Sequence, residues 1–423
     1  MQTQDSPATI GGVSPETLAR TYGTPLLAID TTVLDAALAR FASIATELDL
    51  DVCYAGKALL VVALAERLKA TAIGLDICSL GELFTAERAG FPASRMLMHG
   101  CGKTGEELAA AAAGRVGRIV IDNREELERL AAIVATAGGA RPIDVLLRVN
   151  PGIEAHTHAY VRTGGEDSKF GFSRAAVDAA IDVVLGSPAL HLIGIHTHIG
   201  SNLFEAEPYE ASIAIALEIY ARAAKRGAPL RELIVGGGFG VDAHPGGEHL
   251  DLEATLRALA TRAEIEAARL GVARPRIGIE PGRAIVAEAG TSLYRVVTVK
   301  HQGSRRFAIV DGGIADNPRP ALYGAYHHPV ALGRSFAAQT EETTICGRSC
   351  ENDEMVVAAL PVDLGAGDLL ALQTAGAYTY SMASNYNRFP RPPVIFAGDG
   401  NHRAVTRRES LADLVRNDVV EYD

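Results

Sequence analysis

The chain has 423 residues, of which 48% are hydrophobic and 22% are charged. This composition is typical of a folded protein with a sizeable core and excludes a largely disordered chain. Fifty-one acidic residues outnumber forty basic ones, and the formal net charge of -11 disfavours nucleic acid and anionic membrane surfaces as partners. We therefore expect a small-molecule partner. The length predicts two or three domains, or two if one is a barrel of roughly 250 residues.

We predict no targeting or membrane segment in this sequence. Its longest apolar stretch, Ala58–Ala65, is far shorter than the ~20 residues of a membrane-spanning helix. The first residues contain no basic residue and lead into no apolar segment, so we expect a cytoplasmic protein. The five cysteines are odd in number and form no C-x-x-C pair, which predicts reduced thiols.

The first thirty residues predict a short helix and a strand. Ser14 is the expected N-cap, Pro15 takes the first helical position, and Gly23 ends the helix. The apolar run Pro25–Ile29 then predicts a strand. This strand could join either domain.

Runs rich in valine, isoleucine and leucine then alternate with amphipathic segments such as Glu125–Thr136 and Pro208–Lys225. This alternation is typical of βα units with a parallel sheet. We count eight units, the number of a closed (β/α)8 barrel, although an open doubly wound sheet shows the same alternation. The strands are predicted to begin near Asp51, Ile73, Met96, Arg118, Asp144, Leu192, Glu232 and Arg276.

After about Tyr294 the pattern changes to short strands without long helices between them. This change predicts a second, C-terminal all-β domain. Its predicted strands are Leu293–Lys300, Phe307–Val310, Glu342–Cys346, Leu369–Leu372, Val394–Ala397 and Ala404–Arg407.

Polar residues stand at the ends of seven of the eight predicted barrel strands, and a run of glycines follows the other one. Because the chemistry of α/β barrels lies at the carboxyl ends of the strands, these residues are candidates for one common site. They are Lys57, Asp76, Ser79, His99, Asp122, Arg148, Asn150, His196, His198, Ser201, Gly236, Glu280 and Arg283.

A glycine cluster, Gly236-Gly237-Gly238-Phe239-Gly240, follows the seventh predicted strand. Its backbone N–H groups can surround a phosphate, to which Ser201 and Arg283 can add a hydroxyl donor and a cation. The cluster lacks the G-x-G-x-x-G spacing of a dinucleotide site. We predict a phosphate site here, with a turn that serves only its own backbone as the alternative.

Two other motifs suggest different chemistry. The segment His99–Thr104 ends like a P-loop, but Leu97 stands where the first glycine is required, which excludes nucleotide binding there. The pairs His156-Thr157-His158 and His196-Thr197-His198 can each place two imidazoles on one face of a strand and ligate zinc. A metal-dependent barrel hydrolase is therefore an alternative. We predict no metal, because a metal site would leave Lys57 and the phosphate site without a role.

A lysine, a carboxylate, an imidazole and a phosphate site together meet the needs of pyridoxal 5'-phosphate. We predict that Lys57 forms the resting imine with this cofactor, since its amine is nucleophilic when neutral in a desolvated pocket. Glu280 would face the pyridine nitrogen and keep it protonated, so that the ring accepts electrons from the substrate's α-carbon. His198 would stack on the ring.

With these residues identified, the chain resembles the diaminopimelate decarboxylases, pyridoxal-phosphate enzymes of the alanine racemase and ornithine decarboxylase fold type. The resemblance extends over nearly the whole chain and includes both predicted domains. The matching segments are Tyr54–Ala58, Leu75–Leu83, His196–Ser201, Gly236–Gly240, Glu280–Arg283, Val310–Gly313, Arg319–Tyr323, Cys350-Glu351 and Thr374–Tyr378.

The resemblance implies an α/β barrel at residues 30–290, a β domain of residues 1–29 plus 291–423, and a homodimer with its active sites at the interface. The implied catalytic residues are Lys57, His198, Glu280 and Cys350. The implied cofactor contacts are Lys57, Asp76, His198, Ser201, Gly236, Gly237, Gly238, Glu280, Gly282, Arg283 and Tyr378. The implied substrate contacts are Arg283, Arg319, Tyr323, Glu351 and Tyr378, with Cys350 and Glu351 reaching in from the partner subunit.

The implied reaction is decarboxylation of meso-2,6-diaminopimelate to L-lysine. The distal end of this substrate carries a carboxylate and an ammonium, for which Arg319 and Glu351 are a matching pair. Two segments depart from the family pattern: Cys101-Gly102 stands where two asparagines are common, and Asn352-Asp353-Glu354 stands where serine and glycine are common. A decarboxylase of a related amino acid on the same fold therefore stays an alternative.

Overall fold

The structure is a computed structural model that describes residues 9–137, 142–153 and 168–419. Its strands are β1 Leu26–Asp30, β2 Leu50–Ala55, β3 Gly74–Ile77, β4 Met96–Met98, β5 Arg118–Ile121, β6 Ile143–Arg148, β7 Leu190–His196, β8 Glu232–Ile234, β9 Arg276–Ile279, β10 Gly290–Gln302, β11 Arg305–Val310, β12 Pro329–Leu332, β13 Thr340–Cys346, β14 Glu354–Pro361, β15 Leu369–Leu372, β16 Val394–Gly398 and β17 Asn401–Thr406.

The helices are α1 Pro15–Tyr22, α2 Thr31–Leu48, α3 Val62–Lys69, α4 Leu80–Arg88, α5 Gly105–Ala112, α6 Arg124–Ala137, α7 Val177–Leu185, α8 Glu207–Lys225, α9 Leu252–Leu270, α10 Arg283–Val286, α11 Arg319–Tyr323 and α12 Leu411–Val415. α1 begins as predicted, because the Ser14 side chain accepts a hydrogen bond from the backbone N–H of Thr17. None of the described helices is long and apolar enough to cross a membrane.

Strands β2 to β9 form a closed parallel barrel, in which β2 pairs with β9 to complete the ring. This confirms the predicted (β/α)8 barrel and excludes the open doubly wound sheet. Each predicted strand start lies within two residues of the observed one. Apolar side chains from five consecutive strands form one buried cluster, as expected of a filled barrel interior; they are Leu97, Val120, Leu146, Ile193 and Ile234.

A charged cluster lies where several barrel strands begin. The guanidinium of Arg118 contacts a carboxylate oxygen of Glu232 at 2.5 Å and one of Asp51 at 2.9 Å. These residues stand at or next to the first positions of β5, β8 and β2. The amino end of the barrel is therefore joined by ion pairs, whereas the candidate site residues follow the opposite, carboxyl ends.

The second sheet has the strand order β14-β13-β11-β10-β1-β16-β17, and β15 pairs with both β10 and β12. β1 pairs antiparallel with β10 and parallel with β16, so the strand near the chain start belongs to this sheet. The predicted C-terminal β domain is thus confirmed. Its buried clusters include Leu26, Leu293, Tyr294, Ile345 and Leu370.

Two strands of this sheet were not predicted from the sequence. β12 has four residues and begins with a proline, while β14 contains methionine, alanine and leucine, which favour helices. Both strands are specified by their neighbours: β12 pairs with β15, and β14 pairs with β13 from Thr340↔Pro361 to Cys346↔Glu354. Tertiary pairing therefore overrides local propensity here.

The described residues group into two compact units. One consists of the chain up to Ala37, the segment Asp242–Gly247 and the chain from Ile285 onward. The other consists of Leu38–Val241 and Glu248–Ala284 and contains the barrel strands. The domain limits at residues 30 and 290 stay a prediction.

Candidate active site

The carboxyl ends of the barrel strands surround a cavity of about 460 Å³. Four of the predicted cofactor residues line it, namely Lys57, Asp76, His198 and Glu280. Asp76 lies within β3, and the other three follow β2, β7 and β9, so only the closure of the barrel brings the four together. Other lining residues are His99, Cys101, Lys103, Arg148, Phe170 and His196.

Lys57 lies in the turn that follows β2, next to the end of β9. The backbone N–H of Ala55 donates to the carbonyl of Pro281 at 3.0 Å, which joins the two strand ends. Gly282 packs closely on this turn, because a Cβ at position 282 would lie 3.0 Å from the Cβ of Ala58. The turn is therefore held against the Glu280–Arg283 segment, and the Lys57 side chain is exposed to the cavity.

Glu280 is buried and is held by two imidazoles. Nε2 of His99 lies 2.7 Å from Oε1, and Nε2 of His196 lies 3.2 Å from Oε2. An ionised carboxylate only accepts hydrogen bonds, so both rings donate. Burial acts to raise the pKa of Glu280, but the attraction and hydrogen bonds of the two rings outweigh it and hold the pKa well below its ordinary value. Glu280 is therefore an anion at neutral pH.

His196 and His198 are both neutral, for the same physical reason. Burial lowers the pKa of His196 to about 4 and that of His198 well below its ordinary value. The backbone N–H of Gly237 donates to Nδ1 of His198 at 3.3 Å. This bond leaves the proton of the neutral ring on Nε2 and fixes the orientation of the ring.

Asp76 lies near the same group, with Oδ1 at 3.6 Å from Nε2 of His99. Burial raises the pKa of Asp76 to about 7, and the negative charge of Glu280 contributes to the rise. The cavity thus contains two carboxyls with opposite pKa shifts. Such divergence is typical of functional sites.

The glycine loop adjoins the cavity through His198 and Glu280. The carbonyls of Gly236 and Gly238 accept hydrogen bonds from the backbone N–H groups of Glu280 and Leu203, at 2.9 and 2.8 Å, which fixes the loop. Gly238 has a φ of +94°, and a Cβ there would lie 2.2 Å from the carbonyl oxygen of Gly200. Only glycine fits this position without strain.

Ser201 and Arg283 lie together, with the guanidinium donating to Oγ of Ser201 at 3.3 Å. The pair combines a hydroxyl with a permanent cation, and both residues adjoin segments that contact the glycine loop, since Gly238 packs against Gly200. A phosphate needs this combination of N–H, hydroxyl and guanidinium donors. The residues of the barrel therefore fit a phosphorylated cofactor that also requires a lysine and a buried carboxylate.

Three of the four predicted substrate residues of the β domain, Arg319, Tyr323 and Tyr378, form one cluster. The Arg319 guanidinium lies 5.6 Å from the centre of the Tyr323 ring and 5.4 Å from that of Tyr378. Tyr378 has a φ of +61°, a conformation that a tyrosine rarely adopts. Both aromatic rings therefore lie within cation–π distance of the guanidinium.

Cys350 and Glu351 lie in the exposed connection between β13 and β14. The backbone N–H of Cys350 donates to Oδ1 of Asn387 at 2.9 Å, and Oη of Tyr386 donates to Oε1 of Glu351 at 2.5 Å. Tyr386 and Asn387 were not singled out in the sequence. No local pattern marks them, because the contact spans more than thirty residues of chain.

His99 was not predicted to have a cofactor role, although it stands at the end of the third predicted strand. Its position at a carboxyl strand end was the available signal. His156 and His158 lie outside the described residues. His196 and His198, the second H-x-H pair, have different partners, since His196 contacts Glu280 and His198 contacts Gly237.

Three of the residues described above also have the spacing of metal ligands. Ligand atoms of His99, His196 and Glu280 lie within 4.8 Å of one another. The same atoms are already joined by the hydrogen bonds described above. In this arrangement both imidazoles donate to Glu280 and favour its ionised form.

Comparison with known proteins extends over nearly the whole chain. The family of pyridoxal-dependent decarboxylases, represented by its pyridoxal-binding domain, matches residues 34–287. The diaminopimelate decarboxylase of Actinosynnema pretiosum subsp. auranticum is 42% identical over 97% of this chain and 92% of that protein. The diaminopimelate decarboxylase of Bacillus subtilis (strain 168) is 40% identical over 99% of this chain and 96% of that protein.

Solved structures agree with these relatives. The crystal structure of diaminopimelate decarboxylase from Helicobacter pylori complexed with L-lysine has a TM-score of 0.87 and 30% identity, and it covers 95% of this chain and 98% of that chain. The resemblance predicted from the sequence is confirmed. The chain belongs to the diaminopimelate decarboxylase family of pyridoxal-dependent decarboxylases.

Proposed function

We propose that this protein is a pyridoxal-phosphate-dependent enzyme of lysine biosynthesis that converts meso-2,6-diaminopimelate to L-lysine and carbon dioxide. The observation that carries the proposal is the convergence of Lys57, His198 and an ionised Glu280 on one barrel cavity beside a glycine loop. Relatives that are 42% and 40% identical are named for this activity. The Helicobacter pylori relative was solved with L-lysine, the product of the reaction.

The barrel residues hold the cofactor. When bound, pyridoxal 5'-phosphate supplies an electron sink for the pair left on the substrate's α-carbon as carbon dioxide departs. Lys57 binds the cofactor through its amine, and Asp76 lies beside this site. Glu280, ionised by its two imidazole donors, would hold a proton on the pyridine nitrogen, and the neutral ring of His198 would be the ring-stacking residue.

The phosphate group is held by the glycine loop and the neighbouring donors. The backbone at Gly236, Gly237 and Gly238 carries no side chains and would hold the phosphate together with Ser201 and Arg283. Gly282 contributes by allowing the close packing of the Lys57 turn.

Substrate recognition is assigned to the residues of the β domain together with Arg283. Arg319, oriented by Tyr323 and Tyr378, binds a substrate carboxylate. Glu351 binds the distal ammonium. A substrate with only a distal cation, such as ornithine or lysine, gains nothing from Arg319, so this pair favours diaminopimelate over both.

The bond that breaks joins the α-carbon to its carboxylate, and the α-carbon then takes up a proton from Cys350 or Lys57. Cys350 and Glu351 act from the partner subunit of a homodimer. The domain division at residues 30 and 290 and a cytoplasmic location belong to the same proposal. These three statements are expectations from the sequence and from the family.

The test is carbon dioxide release by cofactor-loaded protein offered meso-diaminopimelate, ornithine, lysine and arginine in parallel. We expect release from meso-diaminopimelate alone, with an equal amount of L-lysine formed. The variant Lys57→Ala should lose the visible absorption of the bound cofactor and the release together. Near-normal turnover by this variant would refute the assignment of Lys57.

A second outcome would identify a related enzyme. Cofactor absorption without release from any of the four amino acids would retain the fold and cofactor and indicate a related amino acid as substrate, as the departures at Cys101-Gly102 and Asn352–Glu354 allow. A protein that binds no cofactor would contradict the proposal altogether.

A further inference from the structure

Asp353 is a buried carboxylate in an otherwise exposed loop. Asp353 is only 6% exposed, whereas Cys350 and Glu351, three and two positions earlier, are exposed. An ionised carboxylate is costly to bury unless several donors surround it. The structure supplies such donors.

Three groups donate to the Asp353 carboxylate. Oδ1 accepts from the backbone N–H of Ile314 at 2.6 Å. Oδ2 accepts from the Oγ–H of Ser349 at 2.7 Å and from its backbone N–H at 3.2 Å. The carbonyl of Asp353 also accepts from the backbone N–H of Gly347 at 2.9 Å. These bonds close the loop and join it to the segment after β11.

Two glycines make room for this carboxylate. A Cβ at Gly313 would lie 2.3 Å from Oδ2 of Asp353, and a Cβ at Gly347 would lie 2.1 Å from the same oxygen. Asp353 itself has a φ of +49°, in the left-handed region that glycine, asparagine and aspartate tolerate best. This packing explains why the motif Val310–Gly313 has a glycine at position 313.

The loop is held on its other side by the contacts already described. Asn387 accepts the N–H of Cys350, and Tyr386 donates to Glu351. Cys350 and Glu351 therefore lie between two fixed supports, the Asp353 carboxylate and the segment at Tyr386. A reactive or ligand-binding side chain held in this way needs little reorganisation when substrate arrives.

We propose that Asp353 is a positioning residue that fixes the loop carrying Cys350 and Glu351 in the shape needed for substrate binding and proton transfer. The inference rests on the proposed function, since it assumes that these two side chains act on the substrate. Asp353 itself touches neither substrate nor cofactor.

The test compares Asp353→Gly with Asp399→Gly in the cofactor-loaded enzyme. Glycine keeps the positive φ of position 353 but removes every side-chain hydrogen bond. Asp399 is an exposed aspartate with a φ of +51° in another loop, so its replacement is a matched control. A third variant, Asp353→Asn, keeps one acceptor for the Ile314 N–H but places an amide against the Ser349 N–H.

We expect Asp353→Gly to raise KM and lower kcat for meso-diaminopimelate, with kcat/KM reduced about tenfold. The visible absorption of the bound cofactor should stay unchanged. Backbone amides of Ile314, Ser349 and Cys350 should exchange with deuterium faster than in the wild type. Asp353→Asn should give intermediate values, and Asp399→Gly should match the wild type in all three measurements.

Wild-type kinetics and unchanged amide exchange in Asp353→Gly would overturn the inference, as would faster exchange without any kinetic change. A loss of activity that parallels a loss of bound cofactor would show a general folding role and also overturn it. An inactive wild type would instead refute the proposed function. In that case the amide exchange measurement still tests the loop by itself. Unchanged exchange in Asp353→Gly would refute the anchoring of the loop by Asp353.

Discussion

Nε2 of His99 lies 2.7 Å from Oε1 of Glu280, and this contact joins the ends of strands β4 and β9 across the barrel. It makes the ionisation of Glu280 dependent on a residue nearly two hundred positions away in the chain. The ring of His99 also packs edge-on against His196, with centroids 4.8 Å apart. The three residues therefore form one unit of the site.

Replacing His99 by phenylalanine should raise the pKa of Glu280, because a hydrogen-bond donor and an attractive charge are lost while burial persists. Less of Glu280 is then ionised at a given acidic pH. We expect the acid limb of the pH profile of kcat/KM to move upward by about one pH unit. The control is His191→Phe, which alters an exposed histidine of the same strand as His196. An unshifted profile in His99→Phe would contradict this role.

Gly238→Ala should weaken cofactor binding. The new Cβ would lie 2.2 Å from the carbonyl of Gly200 and would displace the loop that holds the phosphate. Gly246→Ala is the matched control, because Gly246 has a φ of +71° but a Cβ there meets nothing within 4 Å. Titration of cofactor-free protein with pyridoxal phosphate should show about tenfold weaker binding for Gly238→Ala, equivalent to about 1.4 kcal/mol. Equal affinities in the two variants would refute the phosphate role of the loop.

Lys103 and Glu126 form a buried ion pair that should control stability. Nζ of Lys103 lies 2.8 Å from Oε1 of Glu126, and the side chains are 1% and 2% exposed. Lys103→Met leaves the Glu126 carboxylate buried without its cation and should cost about 3 to 5 kcal/mol in free energy of unfolding. Adding Glu126→Gln should recover part of that loss. Chemical denaturation measures the free energy of unfolding of the single and double variants. If the effects of the two substitutions add in the double variant, the two residues do not interact.

Asp316 should make stability depend on pH. Its Oδ2 accepts from Oη of Tyr294 at 2.6 Å, and burial raises its pKa from 3.8 to about 7. The folded state therefore keeps a proton that the unfolded state releases. The resulting stabilisation is fully present below about pH 4 and is lost as the pH rises through about 7.

Asp316→Asn mimics the protonated carboxyl at every pH. We expect this variant to melt at a higher temperature than the wild type at about pH 8 and to match it near pH 4. The measurement is thermal unfolding across this range. Parallel curves for the two proteins at all pH values would contradict the raised pKa of Asp316.

Much of the fold was predictable because its signals are local. The helix at Ser14 begins at a capping residue, and the barrel strands are apolar runs separated by amphipathic helices. Both patterns arise from the period of one helix or strand and need no distant contact. The glycine cluster after β8 and the lysine after β2 were also visible, since chemistry in α/β barrels follows the ends of strands.

Which side chains contact one another in the site depended on the tertiary structure. The contacts of His99 with Glu280 and of Tyr386 with Glu351 join segments that are far apart in the chain. Asp353 closes its own loop, which folds back on itself. Strands β12 and β14 likewise depend on their partners rather than on their own residues. The sequence by itself determined the eight barrel strands, the helices between them and which residue types reach the strand ends. Only the closed barrel and the paired sheet decided which side chains meet, because burial and hydrogen bonding depend on the neighbours that folding supplies.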